Sequence, residues 1–168
     1  MNRQGAGVSQ IFVYIITLVT FALIMIFGIK AILGFIQDAQ KIEFIQFKSD
    51  LENSVEQLRS EFGAVRKEEF LAPGIFHQIC FIDLDYVPSP EEAAALCQLN
   101  QVACQVWKES SGFETEEENV FLTPPAEARL KVSKISLEQG FLCVPIRQGK
   151  FSLILEGQGD GTKVRGLS

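Results

Sequence analysis

At 168 residues the chain has room for one membrane segment and one small domain. All 21 acids lie from Asp38 onward; only Arg3 and Lys30 precede them, so the remaining 13 bases leave that part at a net charge of −8. Such a balance excludes nucleic acid as a partner, since its backbone rewards clustered Lys and Arg, and an anionic lipid surface would repel it.

From Val8 to Ile29 run 22 uncharged, mostly apolar residues. As a helix they would span roughly 33 Å, enough for a hydrocarbon core of about 30 Å. Ile, Phe, Leu, Val and Met fall on every face, as contact with lipid requires and as a half-buried core helix does not. The run is longer than the 7–15-residue core of a signal peptide, and no A-x-A site follows it. Past Lys30 the pattern becomes amphipathic. Leu33 and Ile36 lead to Phe44, Phe47, Leu51, Val55, Leu58 and Phe62, the last six spaced 3, 4, 4, 3, 4 on one helical face. Gly63 is a plausible stop. The reading is a permanent anchor whose helix continues to about residue 62, with its stripe packed on the chain's own C-terminal part or on a partner helix. The expected divisions are 1–36 (tail and transmembrane helix), 37–63 (amphipathic extension) and 64–168 (small α+β domain). No GxxxG marks a close-packing helix dimer.

Two signals bear on the side of the membrane. Counting bases, Lys30, Lys41 and Lys48 outnumber Arg3 and would hold the C-terminal side in the cytoplasm. The four cysteines argue the opposite: an even count without CxxC fits a disulfide framework and an oxidising compartment. Their gaps of 16, 6 and 38 residues match no common zinc spacing. Cys80 with Cys143, both in apparent strands, and Cys97 with Cys104 are the favoured pairs. Across an unbroken helix the second pair would be about 10.5 Å apart, too far to bridge, so it needs a turn near Leu99–Gln101. The expected location is the cell membrane, single-pass, with the C-terminal domain extracytoplasmic.

Along the domain, AVRKEEFLAPG reads as a charged connector and IFHQICFIDLDY as a central strand, apolar on both faces. VPSPEEAAALCQLN is a short helix, with Ser89 as N-cap, Pro90 in the first position and Glu92 closing a capping box. QVACQVWKES is a helix or strand in which Trp107 packs, and GFETEEENV is an acidic loop. NVFLTPP is a strand stopped by prolines, and RLKVSKISL a half-buried strand or short helix. FLCVPIRQGKFSLILEGQGDGTKVRG reads as a meander turning at Gln148-Gly149 and Gly157–Gly161, with Pro145 marking an edge or bulge. The fold class is α+β: a long N-terminal helix on a small antiparallel-sheet domain with one or two short helices.

Little here carries chemistry. His77 and Cys80, three apart in a strand, would face opposite ways, which spoils a Cys-His pair. Asp83 and Asp85 read as turn and strand-end residues. The acidic loop lacks the alternating ligands and central Gly of an EF-hand, and GQGDG and RQG precede no helix that could bind phosphate. The expectation is no catalytic residue, no metal, no cofactor and no small-molecule substrate.

An apolar N-terminal helix that turns amphipathic before a β-rich head resembles type IV pilins and archaellins. Arg3 precedes Gly5, Ala6 would be the first mature residue, and Gln10 stands where that family carries Glu. The resemblance implies a processing site at Gly5-Ala6 and self-assembly through the helix. Gln10 lacks the charge that pairs with a neighbour's amino terminus, and the expectation is an uncleaved chain. QICFID, NVFLTP and FLCVPI…GKFSLILEG also resemble stretches of uncharacterised single-pass membrane proteins of archaea, a likeness that implies no activity. The leading expectation is a non-enzymatic, membrane-anchored envelope protein, pilin-like or part of a surface or secretion assembly. Its partners would be the bilayer and other protein subunits. A tethered sensor or accessory binding module is the alternative, and a thiol enzyme on Cys80 or Cys97 the third.

Overall fold

The computed structural model describes residues 5–110 and 118–167, with backbone only at 5–10 and 34–40. Two compact units divide between Ile42 and Glu43. Helix α1, Gly5–Arg59, contributes to both. In the first unit it carries a stretch, Ile11–Leu33, that is long and apolar enough to cross a membrane.

The second unit is α+β, with its parts in the order β1 (Val65–Leu71), β2 (Gln78–Ile82), α2 (Pro90–Leu99), α3 (Gln101–Ser110), β3 (Val120–Thr123), β4 (Ile135–Ser136), β5 (Phe141–Pro145), β6 (Lys150–Gly157) and β7 (Thr162–Gly166). A four-stranded sheet runs β1-β6-β7-β4, antiparallel except where β4 meets β7, and a three-stranded antiparallel sheet runs β3-β2-β5. Phe47, Leu51, Val55 and Leu58, each almost fully buried, join Phe151, Leu153 and Leu155 of β6 in the main core. Strand β6 alternates buried and half-buried residues along its length, the period-two signature of a sheet with one covered face. The helix end is tied to this sheet through its last carbonyls. The buried Thr162 hydroxyl donates to Val55 O (2.8 Å), and Gly159 N donates to Arg59 O (3.0 Å).

Strand β2 is apolar on both faces because it separates two cores. Ile79 and Phe81 face the main one; Cys80 and Ile82 face a second, built with Leu96, Trp107 and Phe121. Trp107 is fully buried; its indole N–H donates to Asp83 O (3.0 Å), and its ring lies between Tyr86 and Phe141. Helix α2 begins as its sequence dictates. Ser89 and Glu92 form the reciprocal capping box, with Pro90 in the first turn. Ser89→Ala should therefore cost about 1 kcal/mol, read as a lower urea midpoint with unchanged slope.

Several expectations need correcting. The charged connector is strand β1, whose Phe70 is buried while Arg66, Lys67 and Glu69 are exposed and Glu68 half-buried. The supposed single meander is divided: β5 pairs with β2, whereas β6 pairs with β1 and β7. Gln148 and Gly149, both at positive φ, turn the chain from one sheet to the other. Strand β2 is shorter than IFHQICFIDLDY, and His77 lies outside it, exposed. The 130–137 stretch is neither a full strand nor a helix. Leu130, Val132, Ile135 and Leu137 all point inward, but only Ile135–Ser136 joins a ladder.

Candidate functional site

The most unusual surface of the chain is the Ile11–Leu33 stretch. Its mean hydropathy is 2.6 and none of it is buried within the structure. Phe12, Tyr14, Leu18, Phe21, Ile24 and Phe27 each stand about two-thirds exposed, far more contiguous apolar surface than a soluble monomer leaves open. Its two threonine hydroxyls are satisfied internally. Thr17 Oγ1 donates to Val13 O (3.0 Å) and Thr20 Oγ1 to Ile16 O (2.7 Å). Hydroxyls folded onto the preceding turn ask nothing of water, which suits a helix in hydrocarbon. Gly5 and Ala6 lie in the backbone of α1; the Gln10 side chain lies outside the described residues.

In the second unit all four cysteines are joined, Cys80 to Cys143 and Cys97 to Cys104. Cys80 and Cys143 are direct cross-strand partners on β2 and β5, with Cα atoms 4.0 Å apart. Cys97 and Cys104 are brought within 4.9 Å by a corner at Asn100. The backbone of Asn100 is extended, and its N–H donates to Leu96 O (2.8 Å), closing α2. Its side-chain oxygen accepts from Ala103 N (2.9 Å), opening α3. One buried Asn thus ends one helix and caps the next. Bonded to Cys143, Cys80 carries no free thiolate, and His77 lies just outside β2, exposed.

A cleft of about 300 Å³ lies beside Asp83, lined also by Arg59, Asp85, Asn119, Lys131 and Lys134. Asp83 is buried and forms a local turn, its carboxylate accepting from Asp85 N (3.0 Å) and, at 3.4 Å, from Leu137 N. Asp85 instead pairs with Lys134 at 3.1 Å. Asn119 joins the cleft wall to the irregular segment behind it. Its amide donates to Val132 O (3.1 Å) and accepts from Val132 N (2.9 Å), acting as a strand partner where no strand exists. Asn119 falls near the end of the acidic loop GFETEEENV, of which residues 112–117 lie outside the described residues. Its polar side chain just before an apolar strand was the available signal. Among the described residues no group of three His, Cys, Asp or Glu side chains is gathered to hold a metal ion.

Burial holds the Asp83 carboxyl above the ordinary aspartate range, only partly opposed by the backbone amides of Asp85, Leu137 and Tyr86 that favour its charged form. The folded chain therefore binds this proton more tightly than the unfolded chain does. The resulting stabilisation is complete below the ordinary aspartate value and is lost as pH rises through the raised one. In urea titrations of the full chain in detergent, the wild type should gain on Asp83→Asn as pH falls from 7 through that window. A difference independent of pH would contradict the assignment.

No family model, curated protein or solved structure matches the chain. The residues themselves carry the functional argument.

Proposed function

We propose that this chain is a non-enzymatic envelope protein, anchored by its N-terminal helix and presenting the second unit outside the cytoplasm as a pilin-like subunit or a component of a surface or secretion assembly. The observation that carries the reading is the wholly uncovered apolar stretch Ile11–Leu33, whose threonine hydroxyls are already bonded to their own helix. Only lipid, or apolar helices of neighbouring subunits, can cover such a surface on all sides. The continuation of α1 supports the same reading: its later turns exchange the all-round apolar pattern for a single stripe packed on a sheet. Two disulfides in a domain of this size support an oxidising compartment.

Membrane fractionation is the test. The protein should stay in the membrane pellet through alkaline carbonate, and its intact mass should include residues 1–5. A mass starting at Ala6, with the protein in sheared surface filaments, would move it from permanent anchors to processed pilins. Release by carbonate as a soluble protein would overturn the proposal.

A further inference from the structure

One end of the second unit is rimmed with exposed apolar side chains. At that end the rings of Phe44 on α1 and Phe76 after β1 meet, with centroids 6.0 Å apart. Phe44 turns toward the core, so the next residue, Ile45, is rotated by about 100° to the outer side of the helix, where it is 64% exposed. Phe70 packs inward on Phe151, so Leu71, next along β1, projects from the outer face of the sheet, 66% exposed. The loop from β1 to β2 turns at Pro73-Gly74 and exposes Ile75. Apolar residues thus project from the helix, from the edge strand of the four-stranded sheet and from the loop that leads on to the second sheet, Ile45 and Ile75 each beside a member of the Phe44–Phe76 pair.

We infer that this end of the second unit rests in the headgroup zone of the bilayer, with Leu71, Ile75 and Ile45 inserted. The inference rests on the anchor reading above. A second copy packed side by side would cover the outer face of the helix or of the sheet, whereas a flat lipid surface covers both and the loop as well. Chain length favours the same occupant. Ten residues lie between Leu33 and Phe44, so even drawn out the link is under about 40 Å, and the chain enters the second unit at this end. Charge at the rim is mixed, with Glu43 and Glu69 set against Arg147 and Lys150. The attraction is therefore apolar insertion of the kind amphipathic interfacial segments make, and it does not require anionic lipid.

The test uses the full chain in phosphatidylcholine vesicles, with single tryptophans at Leu71→Trp, Ile75→Trp, Val87→Trp and Phe21→Trp measured against wild-type emission from buried Trp107. Leu71→Trp and Ile75→Trp should shift to the blue and lose emission to lipids brominated near the headgroup. Val87→Trp, 72% exposed at the far end of β2, should stay red and respond to aqueous iodide. Phe21→Trp should be quenched by lipids brominated deep in the chains. If Phe21→Trp is quenched but Leu71→Trp and Ile75→Trp behave like Val87→Trp, the inference fails and the anchor stands. A blue shift that ignores brominated lipid and grows with protein density would assign the rim to a second copy and overturn the inference. Absence of deep quenching at Phe21→Trp would overturn both.

Discussion

Replacing Cys80 and Cys143 together with alanine should lower the unfolding free energy by about 4 kcal/mol, the loop-closure entropy expected for a bridge of this span. The bond ties residues 63 apart, holding central strand β2 to β5, the edge of its sheet. The matching Cys97→Ala/Cys104→Ala pair closes a separation of only 7 residues, for which the same reasoning gives about 2.5 kcal/mol. The second bridge also has less to do in the folded state, because Asn100 already fixes the corner through bonds to Leu96 and Ala103. The ordering is the informative part. Urea unfolding in detergent should rank wild type above the 97/104 variant and that above the 80/143 variant, and equal losses would show that loop length does not set the effect.

Gly157→Ala is the second large effect, at about 3 kcal/mol or more for one added methyl group. Gly157 ends β6 where the strand crosses the last turn of α1. It exchanges backbone bonds with its neighbours, Gly63 N donating to Gly157 O (2.8 Å) and Gly157 N to Ala64 O (2.9 Å). A Cβ at this position would lie far inside van der Waals contact with the carbonyl oxygens of Leu58 and Glu61. Backbone cannot rotate aside as a side chain can, and Leu58 is itself buried in the main core. The methyl would have to part helix from sheet. Gly74, with nothing within 4 Å of its Cβ position, is the control, and Gly74→Ala should stay within about 0.5 kcal/mol. Similar midpoints for the two variants would refute the close approach.

What could be read from the sequence followed from how local each signal is. The capping box at Ser89-Glu92 and the hydrophobicity of Ile11–Leu33 are set by neighbours a few residues away, and both are plain in the letters. The two-sided apolar run ICFI likewise announces a covered strand. Strand β1 was hidden because it is an edge strand. Among the described strands only β6 pairs with it, so Arg66, Lys67 and Glu69 stay exposed and Glu68 half-buried, and the composition then imitates a loop. The partition of β5 and β6 into different sheets was equally hidden. A two-residue turn at Gln148-Gly149 looks the same whether it closes a hairpin or crosses a corner, and the pairing is decided by distant β1 and β2. The sequence leaves the roles of Asn119 and Thr162 open, since each acts through a backbone group contributed from elsewhere in the chain, Val132 and Val55.

The central claim, an anchored chain whose disulfide-bonded domain lies outside the cytoplasm, is tested most directly by thiol accessibility in intact cells. A membrane-impermeant maleimide should leave the protein unlabelled as isolated. After treatment with an impermeant phosphine reductant it should label the cysteines, while the protein remains in the carbonate-washed membrane. Cysteines that label without reductant, and only once the cells are lysed, would contradict both the disulfides and the topology.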